Sequence, residues 1–193
     1  MTRKLIHGTM IVTLVRRDVD IKLGYMQTLI RTIAVNEAEA ACSVIRRSIV
    51  ECCFADHQGD AKIIKAWLAN KIPDNFRLWV TSSKAIAVGA FDDESLVGVS
   101  LVSGSTLQLC YVVPEVLHRG VGKALLSEVE DLSMKKGIDE LHLESTRTAE
   151  AFYQRNGFEP SGAIQFWAGL QAQPMSKHLA SNLSLQRTSF EGR

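Results

Sequence analysis

The stretch Leu109-Cys-Tyr-Val-Val-Pro-Glu-Val-Leu-His-Arg-Gly-Val-Gly-Lys-Ala-Leu-Leu126 constrains this chain more than any other. An apolar run of strand type stops at Pro114, which cannot continue a ladder. A short loop follows, and glycines at 120 and 122 flank Val121. There an apolar helical period begins, with Val121, Leu125, Val129 and Leu132 on one face. The first turn of a helix has unsatisfied N–H groups and the positive end of the macrodipole. Glycine lets that backbone approach an anion without Cβ interference, and Arg119 and Lys123 add charge. Strand, glycine-rich loop and helix N-terminus together make a phosphate cradle. Gly-Lys-Ser/Thr is absent, so this is no P-loop, and the dinucleotide fingerprint Gly-x-Gly-x-x-Gly is absent too. Taken alone, the Gly-x-Gly pair also fits an ordinary strand-to-helix turn.

Periodicity along the rest of the chain predicts a mixed α/β domain. Residues 1–25 show no clear period and read as an extension, with Met26 a second candidate start. The domain is expected over 26–179, followed by a polar tail over 180–193. A strand is expected from Thr28 to Val35. A helix capped by Asn36 should run to about Phe54, burying Ala40, Val44, Ile45, Ile49 and Cys52. Asp60 should cap a second helix through Ala69, with Pro73 ending the region. Strands are expected at Leu78–Val80, Ala85–Phe91, Leu96–Val102 and Thr106–Val113, the later ones forming an antiparallel meander. A helix from Gly120 to Gly137 comes next, then a strand Leu141–Ser145 and a short helix Thr148–Asn156. Gly157-Phe158 leads to another strand, and Ile164–Leu170 reads as a last one.

Bulk properties exclude several classes of function. A formal charge of +1 gives no general attraction for nucleic acid or an anionic membrane, so any anion site is local. Cys42, Cys52, Cys53 and Cys110 lack paired or metal-like spacing, and no metal is expected. They read as reduced thiols of a cytoplasmic protein. No apolar run reaches the ~18 residues needed to span a membrane. The start of the chain lacks a small-x-small cleavage site, which argues against export.

At the Gly-rich loop the chain resembles a known family. Val112-x-Pro114 followed by Arg119-Gly-Val-Gly-Lys-Ala-Leu-Leu126 is similar to motif A of the GNAT N-acetyltransferases. Leu143-Glu-Ser-Thr-Arg-Thr-Ala-Glu-Ala-Phe-Tyr-Gln-Arg-Asn-Gly-Phe158 resembles their motif B, with its Ala-x-x-Phe-Tyr-x-x-x-Gly-Phe core. Pro174-Met-Ser-Lys-His-Leu179 resembles the end of many members, and the likeness spans roughly Thr28 to Leu179. One departure is Leu117, where the family usually carries Gln or Arg.

The resemblance implies a GNAT fold: an α/β mixed sheet of about six to seven strands with helices on both faces. Its antiparallel meander leads into a β-α-β unit whose parallel strands splay apart. It implies acetyl-CoA as co-substrate and direct transfer of the acetyl group to a primary amine, of a small molecule or of a peptide. A protein N-terminus or lysine is the alternative acceptor, a non-catalytic acyl-CoA sensor the alternative role, and a homodimer is compatible. The cofactor would lie along Cys110, Tyr111, Val112 and Val113. Its pyrophosphate would meet His118, Arg119, Gly120, Val121, Gly122, Lys123 and Ala124, with Ser145, Ala149 and Phe152 completing the site. Tyr153 takes the place of the family's general acid. Glu144 is the first candidate base, ahead of Glu51, His57 and His142, and Gln108 could orient a water. Cys110 lacks an adjacent histidine to make it a nucleophile. The acceptor pocket is expected under the first helix and the 60–73 segment, lined by Phe54, His57, Trp67 and Trp79.

Overall fold

The computed structural model describes residues 28–179; the expected extension over 1–25 and the tail over 180–193 lie outside them. Strand β1 (Thr28–Thr32) leads through a turn of 3₁₀ helix (Val35–Glu37) into α1 (Ala38–Cys52). The short α2 (Phe54–His57), α3 (Ala61–Leu68) and α4 (Pro73–Val80) follow. The meander is β2 (Ala85–Asp92), β3 (Ser95–Ser103) and β4 (Thr106–Val112). Helix α5 (Val121–Lys135), β5 (Glu140–Thr146) and α6 (Arg147–Arg155) come next, then β6 (Glu159–Pro160), β7 (Gln165–Trp167) and β8 (Leu170–His178).

Eight strands form one sheet in the order β1-β2-β3-β4-β5-β8-β6, with β7 against β8. Every pairing is antiparallel except β4 with β5. That parallel pair meets at one register position, Thr106 opposite His142, beside a bond from the His142 N–H to Ser105 O of 2.9 Å. Beyond it the strands part, as the family resemblance implies. The core lies between sheet and helices: Ile86 to Phe91 on β2 are all buried, as befits a strand covered on both faces. Gly98 on β3 leaves room for Leu125 of α5, since a Cβ there would stand 2.8 Å from its Cδ1.

Local chemistry explains where expectation and structure differ. Asn36 does not cap α1; it lies within the 3₁₀ turn. Glu37 reaches back to the Ala34 N–H at 2.7 Å and pairs with Arg31 at 2.6 Å. The Arg31 hydrogen bond holds the Glu37 carboxyl below its usual value. Asp60 caps α3 as expected, accepting from the Lys62 and Ile63 N–H groups at 2.7 and 3.3 Å. Pro73 begins a helix instead of ending a region, because the first helical turn needs no proline N–H. Leu78–Val80 is therefore the end of α4 and not a strand. The stretch 164–170 divides into β7, a tight turn and the start of β8, with Ala168 and Gly169 at positive φ. The sheet thus has eight strands where about six to seven were expected.

Candidate active site

Helix α5 begins at Gly120, whose φ of 84° is one that side chains rarely adopt. No side chain caps this helix, and its first i→i−4 bond runs from the Ala124 N–H to Gly120 O at 3.0 Å. The N–H groups of Val121, Gly122 and Lys123 thus precede the ladder at the positive end of a fifteen-residue dipole. His118, also at positive φ (60°), turns the approaching chain, and Arg119 and Lys123 are exposed beside the loop. The loop's own geometry suits a pyrophosphate: the first N–H groups of α5 lie around glycines, and the one carboxylate before them, Glu115, is held by Arg47 at 2.7 Å. Gly122 faces α6, where a Cβ would sit 3.6 Å from the Phe152 ring.

Opposite this loop, α6 carries Tyr153. Its ring is packed edge-on between Phe152 (5.1 Å) and Phe158 (5.6 Å) and is nearly buried. The Tyr153 hydroxyl lies beside the Cys110 thiol on β4, so the motif-B helix comes close to the strand across the gap. Burial pushes the Tyr153 hydroxyl well above its ordinary value, and nearby Cys110 and Tyr111 add to this. Burial likewise pushes Cys110 up to about 12, against the smaller pull of the neighbouring Ser100 and Tyr153 hydroxyls. A neutral hydroxyl and a neutral thiol therefore face one another in the splay.

From the other side, buried Trp67 of α3 lies beside Tyr111 of β4. Asp56 of α2 reaches the N-terminus of α6, accepting from the Arg147 N–H at 2.8 Å and the Thr148 N–H at 3.4 Å. Nothing in the residue pattern marks this contact, because the partners are 91 and 92 residues apart and α2 is one turn long. His57 is buried; its Nδ1 accepts from the Gly59 N–H at 3.0 Å, which leaves the proton on Nε2, without a partner. Phe54 is exposed, and its ring meets that of His57 at 5.9 Å.

The remaining sequence candidates divide by the pleat of β5. Leu141, Leu143 and Ser145 point inward, whereas His142 and Glu144 are exposed on the other face. Ser145 spends its hydroxyl on Thr146 O at 3.0 Å. Ala149 is half-buried on α6. Glu51 is engaged by Arg47 at 2.9 Å, and the same Arg47 reaches Glu115 before the glycine loop at 2.7 Å. Gln108 sits where β4 bulges against β3, since Leu101 faces Leu109 and Val102 faces Leu107. A cavity of about 350 Å³ lies beside it, lined by Trp79, Lys71, Asn70, Leu101 and Leu109 among others. Of the residues expected to line an acceptor pocket, only Trp79 borders this cavity.

Comparison with known proteins agrees with this geometry. A family model described as an acetyltransferase (GNAT) domain matches residues 55–179. A spermidine N(1)-acetyltransferase from Thermoplasma acidophilum is 26% identical over 144 residues, covering 69% of this chain and 89% of that protein. The crystal structure of the PaiA N-acetyltransferase from the same organism, in complex with coenzyme A, superimposes with a TM-score of 0.67 at 25% identity. It covers 79% of this chain and 99% of its own. An acetyltransferase of the GNAT family from Streptococcus pneumoniae shares the fold, with a TM-score of 0.58 at 18% identity over 79% of this chain and 99% of that one. With the family model covering most of the chain and both motifs facing one another across the splay, the chain belongs to the GNAT acetyltransferase family and is an acetyl-CoA-dependent N-acyltransferase.

Proposed function

We propose that this chain acetylates the primary amine of a small molecule, with Tyr153 as general acid and the α5 N-terminus as the seat of the cofactor's pyrophosphate. The observation that carries the reading is the placement of Tyr153 on α6, nearly buried between the Phe152 and Phe158 rings and beside Cys110 of β4, where burial keeps its hydroxyl protonated. The pantetheine arm fits along Cys110, Tyr111 and Val112, where the β4 edge toward β5 has no strand partner. The pyrophosphate fits the N–H groups from Val121 to Lys123, with His118 and Arg119 before them and Ala124 behind. Val113 ends the strand, and Ser145, Ala149 and Phe152 lie on the opposing arm.

In this reading the amine nitrogen attacks the thioester carbonyl carbon, and the C–S bond breaks. Sulfur leaves with the bonding pair and takes the Tyr153 proton. The new ammonium loses its proton to solvent past Glu144, which is exposed on β5 just before α6, and the tyrosine is reprotonated. Proton transfer by a positioned group contributes about 10²–10⁴-fold. Cys110, held near 12, stays a thiol, which favours direct transfer over an acyl-cysteine. A cytoplasmic location fits a consumer of acetyl-CoA whose Cys42, Cys52, Cys53 and Cys110 are all free thiols.

The relative named for spermidine makes polyamines the first acceptors to try. The cavity beside Gln108 argues for widening the panel: Lys71 is its one charged lining residue, and burial lowers that ammonium's pKa. A polycation gains nothing there, whereas an acceptor with a neutral or carboxylate-bearing body does.

Release of CoA from acetyl-CoA, followed by thiol reagent, tests the proposal across polyamines, amino acids, aromatic amines and short peptides. Tyr153→Phe is run beside the wild type. Amine-dependent release that falls about a hundredfold in the variant, with acceptor KM little changed, is expected. Equal rates for the two proteins would remove Tyr153 from the chemistry. Turnover confined to peptides would overturn the small-molecule acceptor.

A further inference from the structure

Asp56 is a buried carboxylate that the motifs of the family do not include, and it is spent on the helix that carries Tyr153. Only 8% of its surface is exposed. One oxygen accepts from the Arg147 N–H at 2.8 Å and the other from the Thr148 N–H at 3.4 Å. Thr146, the residue in the N-cap position of α6, supplies no side-chain cap of its own. Asp56 therefore does for α6 what an N-cap residue usually does, from a separate helix, and its charge meets the positive end of the dipole. Helix α6 has nine residues, short enough that caps and packing decide whether it holds its geometry. Tyr153 lies six positions along it, about 9 Å from the capped end at the usual rise.

The same segment grips the other arm. Trp67, on α3, is buried beside Tyr111 on β4. The two strands themselves pair only at Thr106 opposite His142, at the closed end of the splay. The α2–α3 segment is thus tied to both sides of the opening, to β4 through Trp67 and to α6 through Asp56. We propose that Asp56 is a positioning residue for Tyr153: by clamping the start of α6 it sets the tyrosine hydroxyl against Cys110 and the thioester sulfur. This rests on the acid role given to Tyr153 above.

Steady-state kinetics on Asp56→Ala, Asp56→Asn, Tyr153→Phe and the double variant Asp56→Ala with Tyr153→Phe test it. A further variant, Arg147→Pro, deletes the donor from the helix side while leaving a residue suited to the first helical position. Asp56→Ala and Arg147→Pro are expected to lower kcat tenfold or more with KM for acetyl-CoA within twofold. Asp56→Asn retains an oxygen acceptor and should recover most of the loss. In the Tyr153→Phe background, Asp56→Ala should cost no more than twofold further, because its effect runs through the missing hydroxyl. Should Asp56→Ala fail to fold, Asp56→Asn and Arg147→Pro carry the comparison. An Asp56→Ala protein that folds and keeps wild-type kcat overturns the proposal, as does the same tenfold loss with and without the hydroxyl. Tyr153→Phe at full rate would remove the acid role itself and this proposal with it, an outcome distinct from additive losses.

Discussion

Tyr153 keeps its proton because its hydroxyl is buried among Phe152, Phe158 and Cys110, where a phenolate would be poorly solvated. The sign of that shift makes a prediction about pH. A group whose pKa is raised in the folded chain stabilises the fold below its unfolded pKa, and the contribution is lost as pH climbs toward the folded value. Cys53 and Cys110, both pushed by burial from 9.0 to about 12, act in the same direction. Thermal stability should therefore be unaffected by these groups below pH 9 and decline between pH 9 and 12. Melting curves across that range check it, and a flat profile would mean that the thiols ionise freely in the native state. The kcat profile should likewise show no loss of the acid below pH 10. At this scale the sequence was informative where chemistry is local. Gly120 could be put forward because a phosphate loop needs glycine at a helix start, and Tyr153 because motif B of the family carries a tyrosine there. Asp56 could not, because nothing in Phe54-Ala-Asp-His57 shows that its partner is a helix end far along the chain.

The helix α5 depends on two glycines for different reasons, and each supports a test. Gly120 needs its backbone freedom: at φ 84°, a Cβ costs about 1–2 kcal/mol. Gly120→Ala should raise KM for acetyl-CoA at least fivefold while leaving kcat within threefold, because it tilts the N–H groups that face the pyrophosphate. An unchanged KM would place the phosphates elsewhere. Gly98 needs space rather than freedom, since Leu125 fills the position its Cβ would take. Gly98→Ala should lower stability by about 1–3 kcal/mol, the usual cost of overpacking a filled core, as read by denaturant melts. Elements with one dominant period were legible. Those that escaped were decided by partners. Leu78–Val80 looked like a strand until Pro73 is recognised as a helix start, and β8 was hidden because Pro174 interrupts it. Pro174 is tolerated within a strand paired on both sides, where its carbonyl accepts from the Ser161 N–H at 2.9 Å.

At the scale of the whole molecule, the sheet is two units hinged at one point. The first unit, β1 to β4, is an antiparallel meander with α1 and α5 against it; the second is β5, β8 and the short strands that pair with β8. Between them stand the single paired Thr106–His142 position, the Glu130–Lys177 ion pair from α5 to β8 at 2.7 Å, and the α2–α3 segment, whose Asp56 holds the start of α6. Past Thr106 the β4 edge has backbone groups with no ladder partner, and a chain-like ligand can supply one. Acetyl-CoA should therefore act as the missing seam, stabilising the fold by about 2.7 kcal/mol at a hundredfold excess over its Kd. Because the ligand would bridge the two units, the gain should not be spread evenly. Amide exchange should slow most along Leu107–Val112 and across the first turn of α5, with β1 and β2 nearly unchanged. The measurement is hydrogen exchange on the full chain with and without CoA. Protection confined to the α5 turn would indicate that only the phosphates are held and that the pantetheine arm does not enter the splay. Uniform slowing would point to global stabilisation, with no special role for the open edge of β4.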